Sequence, residues 1–150
     1  MKKHLKIFLS MLLLFQLTIA AKGSSTSNSS PLLCIPSDHS YTAEVEMLIE
    51  GKATGGLIIF YNNRYNSGIL ADSENILANL RSRQFVTEIN NTVDMYYNND
   101  GEKWTRIQNS IEVSSMHHNV LSGFMSLRIG LCAIGKGRVT FKKFIYKPII

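Results

Sequence analysis

Three histidines stand outside the first thirty residues, His39, His117 and His118, and they are the natural candidates for a metal site. A zinc ion takes three or four ligands from His, Cys, Asp and Glu at ordered spacing. His117 and His118 are adjacent, and adjacent residues of a strand point to opposite faces, so the pair meets one ion only from a loop. With no full ligand set in view, no metal and no other cofactor is expected. Nucleophilic chemistry lacks its signatures as well, since the chain contains no Gly-x-Ser-x-Gly elbow and no glycine-rich phosphate loop. Opening a glycosidic bond takes two carboxyl groups facing each other across a cleft, roughly 5 to 9.5 Å apart. The eleven acids are scattered, and Glu44, Glu46, Glu50, Asp94 and Glu102 read as solvated strand faces or turns. No residue is assigned a catalytic role.

Aromatic rings flanked by amides are the grouping with a binding signature. Tyr61-Asn62-Asn63-Arg64-Tyr65-Asn66 sits at a strand end, and Tyr96, Tyr97 and Trp104 face one another across a hairpin. An aromatic ring with a polar rim suits the C–H face and the hydroxyl edge of a sugar. Trp104 itself is expected in the core, because a buried indole often centres a β-sandwich. Cys34 and Cys132 leave two outcomes open. In an oxidising compartment they form one disulfide; otherwise they are two buried free thiols, since both sit in apolar, strand-like runs.

A length of 150 residues, 45% hydrophobic and 18% charged, fits one globular domain and excludes a collagen, a coiled coil or a wholly disordered chain. The net charge of +5 is unevenly placed. Lys2, Lys3 and Lys6 precede an apolar run over 7–21 that ends in the small residues Ala20 and Ala21, the pattern of a secretory signal peptide over residues 1–21. Without those three lysines, thirteen Lys and Arg face eleven Asp and Glu, a balance of only +2. The mature chain therefore has no electrostatic footprint for nucleic acid. The apolar run is interrupted and short of the roughly 20 residues a membrane span needs, so no stable span is expected after cleavage. The product is expected to be exported: periplasmic, cell-surface or extracellular. Residues 22–31 are polar and of low complexity, a flexible linker, and the folded domain is expected over 32–150.

The period of that domain is two. Ala43, Val45, Met47 and Ile49 share one face, and Thr42, Glu44 and Glu46 the other, which makes a half-buried strand. Glycines over 51–56 predict a turn, and residues 56–61 a second strand. Shorter strands are predicted over 68–71, 76–80 and 85–89. Residues 92–107 form a hairpin around Asn98-Asn99-Asp100-Gly101, whose residues tolerate positive φ. After a polar segment over 114–119, two final strands over 124–133 and 138–146 are separated by Gly135-Lys136-Gly137. No stretch sustains a helical period. The class is all-β, an antiparallel sandwich.

Four segments carry a resemblance: Tyr41-Thr-Ala-Glu-Val-Glu-Met47, Gly55-Gly-Leu-Ile-Ile-Phe-Tyr-Asn62, Tyr97-Asn-Asn-Asp-Gly-Glu-Lys-Trp104 and, above all, Val113-Ser-Ser-Met-His-His-Asn-Val-Leu-Ser-Gly-Phe-Met-Ser-Leu-Arg128. The ending Gly135-Lys-Gly-Arg-Val-Thr-Phe-Lys-Lys-Phe-Ile-Tyr146 fits the same pattern. Over about residues 31–148 the chain resembles the C-terminal concanavalin A-like (jelly-roll type) β-sandwich of family 43 glycoside hydrolases, the β-xylosidases and α-L-arabinofuranosidases. In that family the catalytic carboxylates stand on a separate N-terminal propeller, so the resemblance implies a carbohydrate context without hydrolysis. It also implies that the first strands of the sandwich are missing, leaving Val45, Met47 and Ile59 poorly covered. A loop of the family's sandwich approaches the active-site mouth, and the polar segment 116–119 is its counterpart here. The expected carbohydrate-binding or interdomain surface is then Tyr61, Asn62 and Tyr65 with His117, His118 and Asn119. The expected partners are a plant cell-wall oligosaccharide of xylan or arabinan, or a glycoside hydrolase catalytic domain. The alternative is a structural remnant or split half that pairs with another polypeptide and has no ligand of its own.

Overall fold

The computed structural model describes residues 2–6, 17–22, 30–81, 92–121, 123 and 126–149. Its elements are β1 (Lys2–Lys6), β2 (Leu17–Lys22), β3 (Leu32–Cys34), β4 (Tyr41–Phe60), β5 (Asn66–Ala71), β6 (Ile76–Arg81), β7 (Thr92–Val93), β8 (Tyr96–Asn98), β9 (Thr105–Arg106), β10 (Ile111–Glu112), the short helix α1 (His118–Leu121) and β11 (Arg128–Pro148). Among the described residues no helix is long and apolar enough to cross a membrane.

The framework is an antiparallel ribbon of β4 and β11, paired from Arg128 opposite Phe60 to Pro148 opposite Tyr41. Each half of the ribbon recruits its own neighbours. The first half of β4 pairs with β1, which continues to β8 and β9, while the second half pairs with β5 and then β6. On the other side β11 pairs with β3 near its start and with β2 beyond its middle. The small strands β7 and β10 pair separately.

The two strands expected on either side of residues 51–56 are one strand of 20 residues, and those expected over 124–133 and 138–146 are one strand of 21. Glycine is the reason. Gly51 and Gly135 take φ of 71° and 90°, so the chain bends within the ladder where other residues would break it. The bend folds the ribbon onto itself. Val139 lies opposite Ile49 and Gly55 opposite Ala133, a separation of about 20 Å on a flat ribbon, yet a Cβ built on Gly55 would stand 2.5 Å from Val139 Cγ1.

The core fills the space so enclosed. Odd-numbered residues of β4, from Ala43 to Ile59, meet Ile129, Leu131, Val139 and Phe141 of β11, with Ile69, Met95 and Ile111. A bulge between Phe141 and Lys143 then switches the inward set of β11 to Phe144 and Tyr146. Ile58, Leu70 and Cys132 form a second cluster with Phe60 and Ile134. The C-terminal strand is tied down by polar contacts. The Ser37 amide donates to Tyr146 Oη at 2.6 Å, and Tyr146 Oη and Ser37 Oγ both donate to Asp38 Oδ2, at 3.0 and 2.9 Å.

Several expectations change. Val45, Met47 and Ile59 are not poorly covered but 0 to 1% exposed. In the full chain β1 and β2 precede Leu32 and fill the edges of β4 at Glu44–Leu48 and of β11 at Lys136–Phe141. Unpaired strand edges present a row of backbone donors and acceptors, and an extended segment satisfies them. The hairpin forms, with Tyr96 opposite Arg106 and Tyr97 opposite Thr105, but β7 leaves it to pair with β10. Asn98 Oδ1 closes its turn by accepting from the amides of Asp100 and Gly101 at 2.9 and 2.6 Å. Trp104 is half-buried beside this turn rather than central to the core. The strands over 68–71 and 76–80 are found, and the one expected over 85–89 lies outside the described residues.

Of the two outcomes left open for the cysteines, the structure has free thiols, with Cys132 buried as expected and Cys34 exposed rather than buried. Cys34 pairs with Ile129 in the ladder, on the side of the sheet that carries Ile129 and Leu131. Cys132, three residues along β11, belongs to the Ile58–Leu70 cluster on the other side. Directly paired residues share a face and residues an odd number of positions apart on one strand do not, so the two sulfurs are held on opposite faces.

Candidate functional site

Residues 61–65 connect β4 to β5 at one end of the sandwich, between Phe60 and its ladder partner Asn66. Asn62 builds the connection. Its Oδ1 accepts from the amides of Arg64 and Tyr65 at 2.9 and 3.0 Å, an Asx turn, and its carbonyl accepts from the Tyr65 amide at 3.2 Å. The Tyr65 carbonyl in turn accepts from the amides of Tyr61 and Asn62 at 3.1 and 3.2 Å. Buried Asn66 closes the loop from beneath, donating through Nδ2 to the carbonyls of Asn62 and Asn63, each at 3.3 Å. The loop is thus fixed by its own amides, with the side chains of Asn63 and Arg64 exposed and that of Tyr65 half-buried.

Arg128 fixes the loop to the sheet. It lies opposite Phe60, its guanidinium carbon is 5.5 Å from the centre of the Phe60 ring, and one of its terminal nitrogens donates to the Tyr61 carbonyl at 3.0 Å. The cation–π contact and the hydrogen bond both hold the start of the connection. Phe60, Asn62, Asn63, Arg64 and Tyr65 then line an open depression of about 580 Å³, completed by Leu121 from α1. The first turn of α1 is made by the His117 carbonyl, which accepts from the amides of Val120 and Leu121 at 3.1 and 3.0 Å.

The predicted surface is brought together in part. Asn62 and Tyr65 line the depression. Tyr61 does not, because it is fully buried and continues the inward alternation of Leu57 and Ile59. A buried ring offers no stacking face, so Tyr61 is corrected from a contact residue to a structural one. His117, His118 and Asn119 are exposed on the segment that delivers Leu121, outside the lining of the depression, with the two imidazoles edge to face at 6.2 Å. Tyr97 packs on the core rather than joining Tyr96 and Trp104 in an open platform. Phe60 and Leu121 are lining residues that the sequence did not single out, and Arg128 is the positioning residue it missed. Its only trace was its place at the end of the Ser-Leu-Arg run.

Among the described residues no carboxylate lines the depression. Among the described residues no group of three or more His, Cys, Asp and Glu side chains is placed to hold a metal ion. The pairing of Asp94 with Arg106 at 2.7 Å belongs to the hairpin, where hydrogen bonds from Arg106 and Ser110 hold the Asp94 carboxyl below its ordinary pKa.

No protein-family model matches the chain, and no curated protein matches it. Solved structures do. A xylan β-1,4-xylosidase from Bacillus halodurans superposes with a TM-score of 0.69 at 16% identity, over 88% of this chain and 32% of that one. The GH43 protein BlXynB from Bacillus licheniformis gives 0.70 at 13% identity, over 89% of this chain and 33% of its own. A point mutant of BlXynB gives 0.68. The chain thus spans about a third of the length of these structures. Residues 30–150 alone make up less than 88% of the sequence, so the superposition draws in part of the segment ahead of residue 30. The fold is therefore the antiparallel β-sandwich that GH43 xylosidase structures contain over about a third of their chain, as the resemblance implies.

Proposed function

We propose that the protein is an exported, non-catalytic accessory sandwich of the GH43 type, which makes weak contact with a plant cell-wall oligosaccharide through the connection between β4 and β5. The observation that carries this reading is the depression lined by Phe60, Asn62, Asn63, Arg64, Tyr65 and Leu121. It combines an aromatic and aliphatic floor with amide and guanidinium donors, the chemistry that a sugar's C–H face and hydroxyl rim require. The xylosidase from Bacillus halodurans, which shares the fold, supports a xylan context. An open site with two aromatic rings, one of them already under the Arg128 guanidinium, and a few hydrogen bonds corresponds to a dissociation constant on the order of millimolar, or about −4 kcal/mol.

Tyr65→Ala tests the reading, because the turn uses only the backbone of Tyr65 and survives the substitution. Equilibrium titration of the full chain with xylohexaose and arabinohexaose should show saturable binding, weakened about five-fold or more in the variant as the ring face is lost. Unchanged affinity in Tyr65→Ala, or no binding by the parent chain, overturns it. In the same preparation aryl xylosides and arabinofuranosides should not turn over. Hydrolysis that is lost on mutating a single Asp or Glu would contradict the non-catalytic assignment.

A second reading rests on the sheet edges. Cleavage of the expected signal over 1–21 removes β1 and all of β2 except Lys22, and so uncovers β4 at Glu44–Leu48 and β11 at Lys136–Phe141. Edges of that kind accept a strand from another chain. The mature protein is then a split half that pairs with a second polypeptide, such as a glycoside hydrolase catalytic chain. Sedimentation of residues 22–150 separates the two readings. A folded monomer that binds xylohexaose favours the accessory module, and a self-associating or unfolded chain favours the split half.

A further inference from the structure

We infer that Arg64 makes the depression a site for an acidic sugar, one whose ring carries a carboxylate, such as a glucuronate branch on a xylan chain; this deepens the accessory-module reading and rests on it. Arg64 and Arg128 have different situations. Arg128 is committed to the fold, with its guanidinium over Phe60 and against the Tyr61 carbonyl. Arg64 has only its backbone amide engaged, by Asn62 Oδ1. Its exposed guanidinium has no hydrogen-bond or ion-pair partner among the described residues.

The surroundings of Arg64 select the ligand. Asn62 and Asn63 are the polar neighbours, and among the described residues no Asp or Glu lines the depression or pairs with the guanidinium. Asn62 Oδ1 already accepts two backbone amides, which turns the Asn62 side chain into a net donor at its remaining Nδ2 group. A cluster of donors around an uncompensated guanidinium favours an anionic acceptor, and the planar fork of arginine matches a carboxylate at two points. Phe60, Tyr65 and Leu121 supply an apolar floor. A compact inorganic anion makes no use of such a floor, whereas a hexuronate ring presents its C–H face to it while its carboxylate reaches Arg64. The Asx turn holds the backbone that carries the guanidinium, so the loop needs no ordering when the ligand arrives.

The test compares xylohexaose with the same oligosaccharide bearing one 4-O-methylglucuronate branch, titrated against the full chain at low salt. The acidic ligand should bind about five-fold tighter, the upper range for a solvent-exposed ion pair. The preference should vanish in Arg64→Gln, persist in part in Arg64→Lys and shrink at about 0.2 M salt. Binding of short oligogalacturonates with the same dependence on Arg64 would extend the site to hexuronates as a class. Equal affinity of the parent chain for both xylan ligands, or a preference that survives in Arg64→Gln, overturns the acidic-sugar assignment while leaving the neutral glycan surface standing. Failure of both ligands to bind overturns this assignment and the accessory-module reading together.

Discussion

Tyr41 and Tyr146 stack near the start of β4 and the end of β11, with ring centres 6.1 Å apart and planes at 11°. Burial, reinforced by Tyr146 and Cys34, pushes the Tyr41 hydroxyl up to about 12 from its ordinary value of 10.0. Between those two values the unfolded chain has lost a proton that the folded chain still holds. Stability therefore falls as pH rises through that window, by roughly 3 kcal/mol at its upper end. Tyr41→Phe removes the ionisable group and keeps the ring. Urea unfolding at pH 9, 10 and 11 should show a smaller alkaline loss in the variant than in the parent chain; equal losses would place the titration elsewhere. The residue scale also shows where composition misleads. Tyr61 belongs to a run of aromatics and amides that resembles a binding edge, yet it has the inward parity of Leu57 and Ile59. Parity decides, because one face of a strand is committed to the core. The same Asx chemistry that makes Asn62 a turn former was legible in its type, whereas the contact of Arg128 with the Tyr61 carbonyl joins residues 67 positions apart, which no local pattern reveals.

The two long strands are the element on which the sandwich depends, and the contact between Gly55 and Val139 marks where their ribbon folds over. A methyl group on Gly55 would meet both Val139 γ-carbons, at 2.5 and 2.9 Å, and a β-branched side chain has little rotamer freedom with which to yield. Gly55→Ala should cost about 1 to 3 kcal/mol. Val139→Ala should also destabilise, since Val139 is fully buried and its truncation leaves a cavity. The double variant should be less destabilised than the sum of the two, by at least about 0.5 kcal/mol, because the second change makes room for the first. Additive costs in chemical denaturation would mean that the two halves of the ribbon do not pack there. The alternation of Ala43 to Ile49 and the glycines at 51 and 135 were legible in the sequence. Their meaning was not, since a glycine between two strand-like runs reads as a turn unless the facing strand bends at the same place. The bulge at Phe141 and Lys143 was hidden for a related reason. It changes which of Phe141, Phe144 and Tyr146 face inward only relative to a partner strand, and a single sequence does not supply that register.

At the scale of the whole molecule, the fold of about a third of a GH43-type structure is present, and its strand edges are filled by the segments Lys2–Lys6 and Leu17–Lys22. If both strands matter, the chain from residue 22 onward should unfold at least about 8 °C below the full chain, equivalent to roughly 2 kcal/mol for a domain of this size. Equal melting temperatures would show that the two strands add nothing to the sandwich. The all-β class was legible because period-two patterning spans most of the domain, and the resemblance to a C-terminal sandwich lay in particular segments, above all residues 113–128. The position of the candidate surface was legible only in part. Asn62 and Tyr65 are neighbours in sequence, but Leu121 reaches them through the fold alone. A glycan that meets the sandwich at that surface, as proposed, perturbs the backbone amides there, which amide chemical shifts of the full chain report during titration with xylo-oligosaccharides. Saturable shifts should cluster at Asn62, Asn63, Arg64, Tyr65 and Leu121. Shifts confined to the far end of the sandwich, at the bend around Gly51 and Gly135, or no shifts at millimolar ligand, would contradict glycan binding there.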